Sequence, residues 1–517
     1  MQKIFFIPVL ALLILSFLVS CNTGQEGLDI VQTQAGPVSG LTNQDGDIHI
    51  FKGIPFAAPP VGDLRWKAPQ PVTPWEEVKE CVAFGPSPMQ GKPAPFSMWT
   101  EEYLIPEEPI SEDCLYLNVW TGAKSAEEKR PVLVWIYGGG FTSGGSGVPI
   151  YDGEAMAKKE IVFVSINYRV GIFGFLAHPA LTAESSQQAS GNYGLMDQVA
   201  ALQWVQDNIA AFGGDPENVT IAGQSAGSMS VNCLVASPLA KGLFNKAIAH
   251  SGANFTRGMT SLQQAEEYGK QVAESLNATS LEELRSVPAD SLMKVPLAMR
   301  GPVIDGYVLP EHIADLFAQG QQNKVSLLTG WNQDEGLLFG PVKNAADFQQ
   351  QAEEQYGEDA ATFLQHYPAD NDSLAALSQL YLSRDMIFGL QNYVWANVHS
   401  QQEQAPVYVY RFTRKVPATG EYVKYGAFHT GEVPYAYNNL DFVDRPWEDL
   451  DYELAADMSA YWANFIKDGN PNGEGLPEWP AYDHQQKRIM VLGKQAEAGV
   501  LPDAAALDFL YGQMVEN

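Results

Sequence analysis

Six short stretches are almost wholly apolar and of strand length: residues 131–136, 161–166, 219–222, 247–249, 324–330 and 407–412. Unbroken apolar runs rich in Val and Ile are the pattern of strands buried on both faces of a parallel sheet. Between them, Leu195, Val199, Leu202, Val205 and Ile209 recur at helical spacing over 195–211, and 228–236 is helix-compatible. This alternation predicts an α/β fold, a mostly parallel central sheet flanked by helices. Ahead of it, 31–51 reads as a hairpin turning at Gln44-Asp45-Gly46-Asp47, and 112–120 as a strand. Proline-rich residues 53–74 exclude regular helix. Residues 255–300 are mostly helical in pattern, and 345–404 predict a helical cap. No repeats or low-complexity tracts interrupt the chain.

One apolar run differs from the rest. Residues 4–19 follow a lone Lys3, end in Ser20-Cys21, and are too short to span a bilayer. They read as an export signal, 1–20. Leu18-Val19-Ser20-Cys21 resembles a bacterial lipoprotein processing site, which makes Cys21 a candidate for lipidation. Residues 21–30 would then be a polar tether and 31–517 one large domain. The expected location is the cell envelope of a bacterium, anchored by lipid, with soluble secretion as the alternative. In an oxidising compartment thiols are free to pair. With Cys21 lipidated, Cys81 and Cys114 are the candidate disulfide, and Cys233, on the helix of 228–236, is a buried thiol.

Of 517 residues, 31 are basic and 61 acidic, a net charge of −30. That balance argues against nucleic-acid binding, which needs Lys and Arg against phosphate.

The candidate chemistry sits at strand ends. The run at 219–222 passes into Gly223-Gln224-Ser225-Ala226-Gly227 and then helix, the context of a nucleophile elbow. Strand 131–136 ends in Tyr137-Gly138-Gly139-Gly140-Phe141, a loop able to turn backbone amides toward one point. Strand 324–330 ends in Trp331-Asn332-Gln333-Asp334-Glu335-Gly336, with two acids on the edge where α/β sheets bind ligands. His429 lies in the glycine-flanked loop Gly426-Ala427-Phe428-His429-Thr430-Gly431. The order nucleophile, acid, histidine is that of α/β-hydrolases. Among eight histidines, His49 and His178 precede the elbow, His250 follows it too soon, and His312, His366 and His399 fall in helical stretches. His484 is the rival to His429, and Asp334 the rival to Glu335.

These motifs, together with Phe51-Lys52-Gly53-Ile54-Pro55-Phe56-Ala57, Asn167-Tyr168-Arg169-Val170-Gly171, Gly191 to Gln198, Phe212-Gly213-Gly214-Asp215-Pro216 and Trp479-Pro480-Ala481-Tyr482, carry a resemblance. From about residue 30 to about 510 the chain resembles the type-B carboxylesterases, relatives of the cholinesterases with the α/β-hydrolase fold. The resemblance implies Ser225 as nucleophile, Glu335 as acid and His429 as base. It implies an oxyanion hole of the Gly139, Gly140 and Ala226 amides, with Ser251 holding the acid. It also implies structural ion pairs of Arg65 with Glu112 and of Arg169 with Asp197, and no cofactor or metal. The expected substrate is a small ester. The same triad could serve an amide, thioester or lactone. Non-catalytic adhesion relatives lack the serine that stands here.

Two departures from the family's pattern are visible. The segment Phe84-Gly85-Pro86-Ser87-Pro88-Met89-Gln90 lacks the cysteine that usually partners the one at 114. Trp99 lies farther from Cys114 than the cholinesterases' choline-binding tryptophan, so it reads as a loop aromatic and cholinesterase activity is not expected.

Overall fold

The computed structural model describes residues 28–255, 258–296, 301–402 and 405–516. The expected signal, Cys21 and most of the expected tether lie outside these residues. The apolar runs form one eleven-stranded sheet. Its strands are β1 (Leu41–Thr42), β2 (His49–Pro55), β3 (Tyr116–Thr121), β4 (Arg130–Ile136), β5 (Val162–Ile166), β6 (Gly214–Gln224), β7 (Lys246–His250), β8 (Ser326–Asn332), β9 (Val407–Phe412), β10 (Arg488–Leu492) and β11 (Ala496–Val500). Their order is β11-β10-β9-β8-β7-β6-β4-β5-β3-β2-β1.

The pairings from β10 through β9, β8, β7, β6 and β4 to β5 are parallel. β11 and the three strands beyond β5 add antiparallel edges. The hairpin expected around residues 44–47 is the β1–β2 pair, with Leu41 opposite Ile50.

Every residue of β5, β7 and β9 is buried, which accounts for their continuous apolar pattern. Each buried Val, Ile or Leu contributes about 1.5–3 kcal/mol, so this core dominates the stability.

Helices cover the sheet: α1 (Tyr193–Asn208), α2 (Ala226–Ala236), α3 (Asp372–Arg384), α4 (Leu390–Gln401) and α5 (Asp449–Asp468). A five-residue π-helical turn, Asp385–Gly389, joins α3 to α4. α4 is fixed to β8 by Asn392, whose amide donates to Thr329 Oγ1 at 2.7 Å and to the Gly330 carbonyl at 3.1 Å. Residues 345–402 are mostly helical, as expected, with an irregular connection at 367–371, and 403 and 404 lie outside the described residues.

Both expected ion pairs are present: Arg65 meets Glu112 at 2.5 Å and Arg169 meets Asp197 at 2.7 Å. The candidate disulfide is not. Cys81 and Cys114 are both buried free thiols. Cys81 is tied to the β2 edge, its carbonyl accepting from Lys52 N. Cys114 instead lies with Pro88, Met89 and Arg169 around one small cavity. The segment facing Cys114 is therefore the one that lacks a thiol. Burial pushes the Cys81 thiol up to about 11, so it is not a reactive group.

Candidate active site

Because their strands are parallel, β4, β6, β8 and β9 deliver their following loops to one edge of the sheet. At the end of β6 the chain turns into α2 within one residue, Ser225, at φ 58° and ψ −124°. A side chain at these angles is strained, by about 1–3 kcal/mol. The turn is held because Ser225 N donates to the His250 carbonyl and Met229 N to the Ser225 carbonyl, both at 2.9 Å. It also needs its two glycines. A Cβ on Gly223 would lie 2.4 Å from Gly227 backbone, and one on Gly227 would lie 2.1 Å from the Ile136 carbonyl oxygen. Ser225 is only half buried, so its hydroxyl can be reached.

The acid and histidine loops are stitched together. Asp334 N donates to the Ala427 carbonyl at 3.0 Å, and Ala427 N donates back to Asp334 Oδ2 at 2.8 Å. Asn332 Nδ2 donates to the Phe428 carbonyl at 2.7 Å. With Asp334 so engaged, it is Glu335 whose Oε1 lies 2.8 Å from His429 Nδ1, and both side chains are buried. A carboxylate only accepts, so Nδ1 carries the proton and Nε2 keeps its lone pair.

His484 sits half buried beside Asp483 in a loop before β10, and His250 is engaged elsewhere. Trp462 Nε1 donates to His250 Nε2 at 3.1 Å, and Glu432 Oε1 faces His250 Nδ1 at 3.3 Å.

The loop after β4 is folded back on the Gly139 carbonyl, which accepts from Thr142 N at 3.0 Å and Ser143 N at 3.1 Å. Gly139 and Gly140 are exposed, with φ of 109° and 62°. Ala226 is the first residue of α2, where the amide has no acceptor within the helix. Among the described residues none of these three amides is bound to a protein acceptor.

Three details were not anticipated. Among the described residues, no hydrogen bond joins Ser225 Oγ to His429; instead Gln224 Nε2 lies 3.1 Å from His429 Nε2. Such catalytic contacts often tighten only when substrate is bound. Ser251 Oγ and Glu335 Oε2 are both buried without a partner, so Ser251 does not hold the acid directly here. The aromatic surroundings were also missed. Phe388 stacks on the His429 ring with centroids 4.3 Å apart. Trp99, read from the sequence as a loop aromatic, lies edge-on to that ring at 6.4 Å and donates from Nε1 to Thr430 Oγ1. Phe388 falls in a stretch of ordinary helical pattern, where nothing marks a π turn. Among the described residues no group of His, Cys, Asp and Glu could hold a metal ion.

Known proteins share this architecture. A sequence profile of the carboxylesterase family matches residues 28–510. The fumonisin B1 esterase of Sphingopyxis macrogoltabida is 36% identical over 489 residues, covering 90% of this chain and 87% of that protein. The para-nitrobenzyl esterase of Bacillus subtilis is 37% identical over 485 residues, covering 90% of this chain and 95% of its own. A solved structure of a PNB esterase superposes with a TM-score of 0.79 at 34% identity, covering 92% of this chain and 98% of that one.

Proposed function

Since the chain belongs to the carboxylesterase family and is a carboxylic ester hydrolase, we propose that Ser225, His429 and Glu335 carry out that hydrolysis. His429 Nε2 takes the Ser225 proton as Oγ attacks the ester carbonyl carbon. Glu335 orients the imidazole and stabilises the imidazolium that forms. The Gly139, Gly140 and Ala226 amides receive the charge on the former carbonyl oxygen, each worth about 3–4 kcal/mol in the transition state. The intermediate collapses, the imidazolium gives its proton to the departing alcohol, and an acyl-serine remains. Water then repeats the sequence, releasing the acid and restoring Ser225.

The observation that carries this reading is the 2.8 Å contact between Glu335 Oε1 and His429 Nδ1, beside a strained serine at a strand-to-helix turn. The test is twofold. A fluorophosphonate probe should label the wild-type protein at Ser225, and Ser225→Ala should keep less than about a hundredth of the turnover while remaining folded. Labelling at another residue, or a folded Ser225→Ala variant with near-normal rates, refutes it.

We further infer that lipid on Cys21 tethers this domain to a membrane. The support is the apolar run 4–19 followed by Ser20-Cys21. No helix among the described residues is long and apolar enough to cross a bilayer. A net charge of −30 removes attraction to anionic headgroups. Cys21→Ser should move the enzyme out of the membrane fraction at unchanged specific activity. A wild-type enzyme with an unmodified N-terminus after cleavage, wholly in the soluble fraction, refutes it.

A further inference from the structure

Two side chains that the reaction scheme leaves unused press on the imidazole of His429. The first is Phe388, buried, its ring stacked at 4.3 Å with an interplanar angle of 23°. It stands on the π-helical turn Asp385–Gly389. A π turn shifts the direction in which the next side chains point, and such turns recur at functional sites. This one is anchored at its first residue. Asp385 accepts from Arg384 Nε at 2.7 Å and from the Tyr367 hydroxyl at 2.9 Å, inside a buried cluster that includes Asp503 and Arg411.

The second is Gln224, buried at the end of β6, where it is the register partner of His250. Its Nε2 lies 3.1 Å from His429 Nε2 and 3.4 Å from Nδ1. A donor in the ring plane and nearly equidistant from both nitrogens would collide with Cε1. The amide therefore lies over a face of the ring, an N–H···π contact rather than a bond to the lone pair. A stacked phenyl ring fills one face, so the amide takes the other. The amide has room there because residue 138 is glycine: a Cβ at that position would lie 3.1 Å from Gln224 Oε1.

We propose that Phe388 and Gln224 clamp the two faces of the His429 ring, and that the uncharged amide at 224 sets the acid limit of the enzyme's working range. The proposal rests on His429 being the base. The need for a clamp follows from geometry. The torsion that spins an imidazole on its Cβ is broad, and one hydrogen bond to Glu335 does not fix it. A ring that tilts carries Nε2 away from Ser225, and small misplacements cost rate in the chemical step.

Other charged groups also act on this ring. Glu335 bonds Nδ1, while Asp334 and Glu432 lie on the segments that hold the histidine loop. Glu432 faces His250, and Arg445 lies over Phe428 at 5.0 Å. Asp385 and Arg384 precede Phe388 on its own segment, and Arg411 is joined to them through Asp503. A carboxylate at 224 would add a negative charge directly on the ring face. It would favour the imidazolium, which cannot act as base, so the rate would already fall at higher pH.

The experiment compares four variants on a short p-nitrophenyl ester across pH. Gln224→Glu should move the acid limb of kcat/KM upward by about one pH unit or more. Gln224→Met, the same length without the amide, should lower kcat about tenfold with KM within about twofold. Phe388→Leu should lower kcat similarly, and Phe388→Tyr, which keeps the ring, should restore most of it. The clamp is refuted if Gln224→Glu leaves the acid limb in place, if Gln224→Met keeps the wild-type kcat, or if Phe388→Tyr is as poor as Phe388→Leu. Should Phe388→Leu fail to fold, the two Gln224 variants decide. Wild-type labelling at Ser225 separates the two readings. Absent labelling removes the triad, whereas normal labelling with variants that match wild type removes only the clamp.

Discussion

Replacing Ser225 with glycine should make the protein more stable while leaving it inactive. At φ 58° and ψ −124° a residue with a Cβ carries about 1–3 kcal/mol of backbone strain. Glycine adopts this conformation freely but loses about 0.5–1 kcal/mol in chain entropy on folding. The proper control is Ser225→Ala, which also removes the hydroxyl but keeps the Cβ and therefore the strain. The difference between the two inactive variants isolates the backbone term and, at mid-range values of both, comes to about 1 kcal/mol in favour of glycine. The assay is paired urea unfolding followed by tryptophan fluorescence, with equal slopes required so that midpoints report stability. If Ser225→Gly unfolds at the same or lower urea than Ser225→Ala, the turn stores no strain and this reasoning is wrong.

His429→Ala should be as inactive as Ser225→Ala, and the double variant hardly worse than either, because the two act in one step; multiplicative losses in a rate assay would refute this. His484→Ala should keep most of the activity, since that side chain lies in a loop away from the strand ends that carry Ser225 and Glu335. Turnover should fall on acidification as His429 gains a proton and can no longer act as base; a rate flat from about pH 8 to pH 4 would contradict it. Burial pushes the Asp503 carboxyl up, but the Arg411 and Arg384 guanidiniums outweigh it and hold the carboxyl below its usual value. Its stabilising contribution is therefore present above the unfolded value of about 4 and is lost as pH falls through the lower folded value. Asp503→Asn should cost about 3–5 kcal/mol at neutral pH by leaving buried guanidinium charge uncompensated, and a urea midpoint unchanged from wild type would refute it.

Much of the architecture was legible because its causes are local. The runs in β4, β5 and β9 are apolar because each strand is buried on both faces, and that leaves its mark residue by residue. The elbow was legible because Gly223 and Gly227 are required where backbones touch, and no other residue fits. The Ser251 and Cys114 expectations went astray for a different reason. Each concerned which atom meets which across the fold, and an angstrom or a neighbouring residue decides that. Cys114 faces Pro88 and Met89, and Ser251 Oγ and Glu335 Oε2 are each buried without a hydrogen-bond partner.

The sequence by itself therefore determined the strand-and-helix alternation, the strained serine turn, and the order in which nucleophile, acid and base candidates arrive. Only the tertiary structure decided between neighbours. It turned Glu335 toward His429, 94 residues away, and used Asp334 to join the two loops. It also brought Phe388, Trp99 and Gln224 around the imidazole, the last from 205 residues away. The physical reason is that burial and backbone strain act on each residue where it stands. Hydrogen bonds and ring contacts act over a few ångströms between segments that only the parallel sheet brings together.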